Sequence, residues 1–469
     1  MTVKRIYDDA LAQATYIVGC GATGEAIVID PSLDLEPVMK VAAEEGFKIV
    51  GVTETHIHAD YVSGAKPLAE AVGATLYLSG DGPPEWQYAF SDQPNVRTVH
   101  DGDVIQIGNL SLQVLHTPGH TPEHISFLLT DHPASDEPVA VFTGDLLFVG
   151  DVGRPDLLEK AAGMEGTMRE GAKTLYCTLD RFRKMPPELL VWPAHGSGSA
   201  CGKALGGSPV TTIGYEARTN WAFRTPSEAD FVDEVLSGQP EPPAYFAEMK
   251  RLNKAGPKAM PPMPEKLDAS RLGELLADHA VVDLRPRGEA EIESIRGAVS
   301  IPFGRQFPTW VGSVFGPGDR IVLLARDEES AEQAARWCAL VGNRVVGWIP
   351  TDGALSNARN TGLLGKTPKT RAEEIPGLLG SLQEAVLDVR KASEASEGSI
   401  PGVSHCPLAR LALSLSELPE GKRLHVHCAS GMRALVAASF LRAKGYDAYA
   451  VTDPFPAVQV ACLGVGATT

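Results

Sequence analysis

The segment Thr55-His56-Ile57-His58-Ala59-Asp60-Tyr61 sets three metal-ligand side chains at alternate positions, directly after the β-branched run Ile49-Val50-Gly51-Val52-Thr53. In extended backbone alternate side chains point the same way, so His56, His58 and Asp60 can converge on one cation. Three later segments also close an apolar run with a His or an Asp: Leu115-His116-Thr117-Pro118-Gly119-His120, Val141-Phe142-Thr143-Gly144-Asp145 and Val191-Trp192-Pro193-Ala194-His195. Four such loops in series, each presented from the edge of a sheet, make a metal site. A second chemistry is written in Cys428-Ala429-Ser430-Gly431-Met432-Arg433, between the run Leu424-His425-Val426-His427 and an Ala-rich helical segment. Small residues and glycine let that loop curl until its N–H groups and the helix N-terminus face inward, which stabilises a thiolate and an anion beside it. Cys428 is then a nucleophile by position and Arg433 an anion clamp.

The elements that must position these residues fall into three stretches. Over residues 1–240 strands and helices alternate: a hairpin over 14–19 and 25–30, a helix over 35–45, a helix from about Val62 to Val72, and a meander of strands at 96–100, 104–107 and 110–116. The pattern predicts two sheets sandwiched between helices. Residues 241–264 are rich in Pro, Lys and Ala and read as a stiff linker.

An internal repeat near one hundred residues then fills 265–364 and 365–469. Val281-Val282-Asp283-Leu284-Arg285 matches Val386-Leu387-Asp388-Val389-Arg390, and Ile321-Val322-Leu323-Leu324 matches Leu424-His425-Val426-His427. Each copy reads as a small α/β domain with a parallel sheet. In the first copy the loop aligned with Cys428 is Ala325-Arg326-Asp327-Glu328-Glu329-Ser330, which has no thiol and three acids where an anion would sit. The expected class is therefore a multi-domain α/β protein.

The chain has 469 residues, which as a prior suggests about three domains at roughly 150 residues each. A net charge of −17 disfavours nucleic acid and anionic membrane as partners. The N-terminus lacks the apolar core of a secretory signal, and no apolar run is long enough to span a bilayer, so a cytoplasmic location is expected. Seven cysteines without a CxxC pair argue for thiols rather than a disulfide framework.

The two copies resemble rhodanese domains, sulfurtransferases whose loop cysteine carries a persulfide; the first resembles an inactive homology domain. Four residues separate Cys428 from Arg433, against five in related phosphatases that hold a larger tetrahedral anion. The N-terminal stretch resembles the metallo-β-lactamase superfamily, whose αββα sandwich carries an HxHxDH motif, here His56, His58, Asp60 and Tyr61, with His120, Asp145 and His195 further on. Tyr61 stands where binuclear zinc members have a histidine.

Within that superfamily Thr143-Gly144-Asp145-Leu146-Leu147 and Gly153-Arg154-Pro155-Asp156 resemble persulfide dioxygenases, and the whole arrangement resembles fusions of such an enzyme with two rhodanese domains, the CstB type. The resemblance implies one Fe(II) per chain on His56, His120 and Asp145, with no organic cofactor. His58, Asp60, His195 and Tyr61 are then supporting groups or alternative ligands. Two imidazoles and one carboxylate leave open positions suited to dioxygen chemistry at iron.

The implied substrates are a small thiol persulfide (glutathione, coenzyme A or bacillithiol type), dioxygen, and sulfite or thiosulfate. Arg154 and Lys203 are candidates to meet the thiol's anionic groups, and Cys201 to accept sulfur near the iron. A zinc thioester hydrolase of the glyoxalase II type with a rhodanese tail, and a sulfane-sulfur carrier or sensor, are the alternative readings. Which thiol, which direction of sulfur transfer and whether the protein is a homo-oligomer stay open.

Overall fold

A computed structural model describes residues 1–160 and 166–463, so the last six residues of the stretch 365–469 lie outside the described residues. The chain divides into two compact units, one of Met1–Pro242 with Phe246–Met260, the other of Pro243–Tyr245 with the chain from Pro261 onward.

The first unit holds two six-stranded sheets. In the first, β1 (Thr2–Asp8), β2 (Gln13–Cys20), β3 (Glu25–Ile29), β4 (Lys48–Thr53), β5 (Thr75–Ser79) and β6 (Val96–Val99) lie side by side in chain order. The second runs β7 (Val104–Ile107), β8 (Leu110–His116), β9 (Ile125–Asp131), β10 (Pro138–Gly144), β11 (Leu190–Pro193) and β12 (Thr211–Thr212), again in chain order.

Alternation along the strands explains the layers. In β2 and β3, Tyr16, Val18, Ile27 and Ile29 enter the core between the sheets, whereas Ile17, Ala26 and Val28 enter a second core under the helices Glu36–Glu44 and Ala65–Val72. Both faces are buried, so these strands read as continuous apolar runs. The helix Thr167–Arg183 covers the other sheet through Leu175, Leu179 and Phe182.

The structure departs from the sequence reading in three places here. β6 does not form a meander with β7 and β8: it pairs in parallel with β5, and the chain changes sheets at a turn where Asp103 accepts the His100 N–H (2.9 Å). The helix expected from Val62 begins at Ala65, because Ser63 is held outside it, its N–H on Asn253 (2.9 Å) and its hydroxyl accepting from the Ala65 N–H (3.0 Å). Finally, the stretch expected as a stiff linker contains the helix Phe246–Ala255, which buries Phe246, Met249, Lys250 and Asn253 within the first unit.

The second unit repeats one design. Its first parallel sheet has the order Val299–Ser300, Ala280–Asp283, Arg320–Ala325, Arg344–Pro350. The other has Ser404–His405, Glu384–Asp388, Arg423–His427, Ala448–Val451, with Lys369–Thr370 added at the far edge. Each copy locks the end of its second-ranked strand with a buried ion pair, Asp283 with Arg285 (2.6 Å) and Asp388 with Arg390 (2.7 Å). All seven cysteines are free thiols, and no described helix is long and apolar enough to cross a membrane.

Candidate active sites: a buried histidine–carboxylate pocket and a cysteine loop

The loops leaving β8, β10 and β11 start from strands that run the same way in the second sheet, and the loop leaving β4 of the first sheet meets them at one edge of the sandwich. They bring His56, His120 and Asp145 together, their ligand atoms within 4.8 Å of one another, and beside them Asp60, His195 and Cys201 within the same spacing. Asp145 stands between the groups, its Oδ2 at 3.6 Å from His120 Nε2 and 4.0 Å from His56 Nε2, its Oδ1 at 3.3 Å from His195 Nε2. All six residues are buried. Gly144 makes the turn into Asp145 at φ +51°, and a Cβ there would sit 2.6 Å from both His124 Nε2 and Thr55 Oγ1.

Hydrogen bonds fix the tautomers, and they leave lone pairs aimed inward. His120 Nδ1–H donates to the Arg154 carbonyl (3.0 Å) and His195 Nδ1–H to the Ala12 carbonyl (2.9 Å). The Thr55 hydroxyl donates to Asp30 (2.9 Å), so the proton shared with His56 Nδ1 (3.0 Å) sits on the imidazole. Three Nε2 atoms therefore face the Asp145 carboxylate, and no N–H or hydroxyl donates to either oxygen of Asp145 or of Asp60, the Cys201 thiol being the neighbour that reaches Asp145. Buried carboxylates faced by the neutral imidazoles of His56 and His120 are suited to hold a cation, and Asp145 and Asp60 together favour the charged form of His195 beside them. Burial, helped by neighbouring imidazoles, holds His56 and His120 well below the ordinary histidine value, which keeps them neutral as metal ligands must be. Burial pushes Asp145 up to about 6, against the pull of His195; a bound cation acts in the opposite sense. The donor set fits a metal ion.

His58 does not join them. The backbone bends at Thr55-His56 and again at Ala59-Asp60, so strand alternation fails there. His58 Nε2 turns to Asp30 (3.1 Å); burial works against its charge, yet Asp30, with Glu54 and Asp60 behind, pushes it up to about 9. The Tyr61 hydroxyl donates to the Asp30 carbonyl (3.4 Å) and its ring lies against His58 at 4.6 Å, so it supports the loop and does not face Asp145.

Arg154 is fully buried, its Nε and Nη2 both on Asp156 (2.7 Å each) and its Nη1 on the Ala200 carbonyl (3.1 Å). Lys203 Nζ is taken by Glu234 (2.7 Å) and lies over the Trp221 ring. Neither has the free charge expected of a group that meets an anionic thiol. Burial, with Asp60 and Asp145 close by, raises the Cys201 thiol well above its ordinary value.

The sequence reading missed Asp30, His124, Asn253 and Lys250. Asp30 ends the run Ile27-Val28-Ile29 as the other site residues end theirs, so its signal was present. His124 Nε2 accepts the Asp145 N–H (3.1 Å). Asn253 Nδ2 donates to the carbonyls of His58 (2.9 Å) and Tyr61 (2.8 Å). Lys250 is the unexpected group: its buried ammonium has no hydrogen-bond partner and lies 4.9 Å from the Trp86 ring centre. Burial brings it down to about 8 although Glu123, Cys201, Asp156 and Asp145 pull the other way.

In the second unit Cys428 ends the strand Arg423–His427, and its buried Sγ accepts the N–H groups of Gly431 (3.1 Å) and Ala434 (3.4 Å). The loop lies at the N-terminus of the helix Met432–Ala443, as the sequence predicts. Arg433 is close enough to Cys428 for their charges to interact, but both its terminal nitrogens are on Glu394 (2.6 and 2.7 Å), so the expected anion clamp is already paired. Despite partial burial those bonds hold Glu394 below the usual carboxylate range.

Residues 8–195 match the metallo-beta-lactamase superfamily and residues 371–457 the rhodanese-like domain. A crystal structure of a metallo-beta-lactamase from Staphylococcus aureus subsp. aureus COL is 37% identical, with a TM-score of 0.66, and the match covers 74% of this chain and 99% of that one. The chain belongs to the metallo-β-lactamase superfamily and carries a C-terminal rhodanese domain.

Among curated relatives, the human mitochondrial persulfide dioxygenase ETHE1 is 28% identical over 41% of this chain and 67% of its own length. A hydroxyacylglutathione hydrolase of Rhodospirillum rubrum is 34% identical over 38% of this chain and 60% of its own. These two matches leave about a third of the dioxygenase and two fifths of the hydrolase unspanned.

Proposed function

We propose that the chain is a bifunctional enzyme of sulfur metabolism, a persulfide dioxygenase joined to a sulfurtransferase as in the CstB type. The overall oxidation takes one persulfide anion, one dioxygen and one water to one thiol, one sulfite and one proton. The observation that carries the first half is the set of His56, His120 and Asp145, two imidazoles and one carboxylate whose lone pairs converge while His58 is spent on Asp30. That set suits non-haem Fe(II). Bound there, iron would supply dioxygen activation and the electron transfer of the oxidation.

The chain's own residues do the rest. Arg154, Ala12 and Thr55 hold the three imidazoles in the tautomers that keep Nε2 free. Lys250 brings an unpaired positive charge to the pocket and is suited to hold the anionic persulfide sulfur.

In the rhodanese domain the Cys428 thiolate attacks the outer sulfur of a persulfide, the S–S bond breaks and the donor leaves as a thiolate. Sulfite then takes that sulfur to give thiosulfate and restores Cys428. Residues 265–364 are read as an inactive rhodanese homology domain and 365–469 as the active one.

Metal content and oxygen uptake of protein purified without added metal test this reading. Iron together with oxygen consumption on a thiol persulfide is the expected result; His56→Ala should lose both metal and sulfite production. The rival is zinc thioester hydrolysis. It draws on the neighbouring Asp60, His195 and Cys201, which could hold a second cation, and on the hydrolase relative. Zinc with thioester cleavage and no oxygen uptake would overturn the dioxygenase. Lys250→Met should keep the metal and raise KM for the persulfide by on the order of tenfold; an unchanged KM removes Lys250 from the substrate site.

A further inference from the structure

The half of the second unit that has no reactive thiol reaches into the loop of the half that has one. Arg287 opens the helix Arg287–Ile292 in the first copy, two residues after Arg285 of the buried Asp283–Arg285 pair. Its Nη1 donates to the Ser430 carbonyl (2.5 Å) and its Nη2 to the Thr452 carbonyl (2.6 Å), just past the strand Ala448–Val451. Its Nε donates to Glu291, and Glu291 also takes Lys369 Nζ (2.7 Å), so the guanidinium is fixed in plane from its other side.

The Ser430–Gly431 peptide is the point of leverage. In a trans peptide the C=O and N–H point in opposite directions. Here the carbonyl accepts from Arg287 and the N–H donates to Cys428 Sγ at 3.1 Å. The guanidinium and the sulfur grip opposite ends of one dipole. The fit is close: a Cβ on Gly431, which has φ +88°, would sit 2.7 Å from Arg287 Nη1 and 2.7 Å from the Thr452 carbonyl oxygen. The next peptide back is held separately, the Phe455 N–H donating to the Ala429 carbonyl (2.9 Å). Without Arg287 the Ser430 carbonyl loses this charged donor, and the peptide becomes free to rotate its N–H away from the sulfur.

We propose that Arg287 is a positioning residue for sulfur transfer at Cys428, fixing and polarising the peptide whose N–H faces the reacting sulfur. The first copy is thereby part of the second copy's site, although its own aligned loop carries no thiol. This rests on reading Cys428 as the sulfur-transfer nucleophile. The charged groups that act on His427 and Arg433 beside the loop, Asp388, Arg390, Glu394 and His405, all come from the second copy, whereas Glu291, which pairs with Arg287 and with Lys369, is the first copy's own.

The test compares full-length wild type with Arg287→Ala, Arg287→Gln and Arg287→Lys. Alkylation of the Cys428 peptide is followed by mass spectrometry across pH, beside kcat and KM for transfer from a persulfide to sulfite. Arg287→Ala should slow alkylation of Cys428 at neutral pH about tenfold, because the peptide N–H no longer faces the sulfur. It should lower kcat about tenfold with KM within about twofold, while Arg287→Lys, which keeps the charge but not the fork, falls between.

If Arg287→Ala does not fold, Arg287→Gln, which keeps one N–H donor and no charge, carries the same expectation. A variant whose melting temperature falls while its alkylation profile and kcat stay at wild-type values shows a merely structural contact and overturns the proposal. So does no change at all. Failure of the underlying reading looks different: wild type and Cys428→Ser would then transfer sulfur equally.

Discussion

Two loops in the second unit occupy the same place in the same fold and are finished differently. Both follow the strand that lies third in the shared sheet order, Arg320–Ala325 in one copy and Arg423–His427 in the other, and both lead into a long helix. The helix N-terminus in each case presents N–H groups that have no partner within the helix. In the first copy Asp327 caps them with its own carboxylate, accepting the Ser330 N–H at 2.8 Å. In the second copy no carboxylate or hydroxyl does so; Gly431 turns the chain, and the N–H groups of Gly431 and Ala434 are left to the sulfur of Cys428. A cap that satisfies the helix with a fixed carboxylate closes the site. A cap supplied by the reactive atom makes one, because any negative charge gained there is met by N–H groups already in place.

The largest effect this contrast predicts is at Cys428. Cys428→Ser should lower thiosulfate turnover by on the order of a thousandfold or more, since a hydroxyl offers neither a thiolate nor a persulfide at neutral pH. Oxygen uptake at the histidine pocket should persist. The reverse graft sharpens the comparison: Ala325→Cys should remain without transferase activity, because Asp327 already occupies the helix amides. Activity in Ala325→Cys would show that the thiol alone, and not the open cap, makes the difference.

Much of this arrangement is legible in the sequence, for identifiable reasons. Strands buried on both faces appear as unbroken apolar runs, so the sandwich and the parallel repeats can be read from Ile27-Val28-Ile29 or Ile321-Val322-Leu323-Leu324. Site residues that directly follow such runs, among them Asp145, His195 and Cys428, can be read for the same reason. What escapes depends on tertiary contacts. His58 was expected to share a face with His56, but the backbone bends between them and Asp30, a distant strand end, takes the ring. The prolines around Phe246–Ala255 hid a helix whose residues Phe246, Met249, Lys250 and Asn253 lie on one face at helical spacing. Arg433 could be placed on the loop, but its pairing with Glu394 needed the short helix Ala392–Ser396. Nothing local to Arg287 marks it, since its partners are 143 and 165 residues away.

A medium effect separates the copies by pH. His427 stands where the first copy has Leu324; its ring stacks on Phe455 at 5.6 Å, and neither ring nitrogen has a hydrogen-bond partner. Burial pulls it down to about 4, outweighing Asp388, which favours its charge. In the unfolded chain the value is about 6.5, so between about pH 4 and 6.5 the unfolded state binds more protons than the folded one. Stability of the wild type should therefore rise with pH through that window and be flat above it. His427→Leu removes the slope and should gain roughly 2–3 kcal/mol near pH 4 relative to its own difference at pH 7. Denaturant unfolding at a series of pH values measures this; equal slopes in both proteins would mean that His427 is not the group that titrates.

The smallest effect lies in the copy whose loop has no cysteine. Asp327 is exposed, and the Ser330 hydroxyl and N–H hold its carboxyl below the usual carboxylate range. A group so shifted stabilises the fold above its unfolded value, and the contribution disappears as pH falls through the folded one. Asp327→Ala should lower the melting temperature by roughly a degree or two at pH 7 and leave it unchanged once the wild-type carboxyl is protonated, whereas Asp327→Asn should keep most of the cap. Transfer activity at Cys428 should be unchanged in both, because the N–H groups that Asp327 satisfies belong to the other helix. A loss of transfer in Asp327→Ala at full stability would tie the first copy's cap to the second copy's chemistry and dissolve the distinction between a closed cap and an open one.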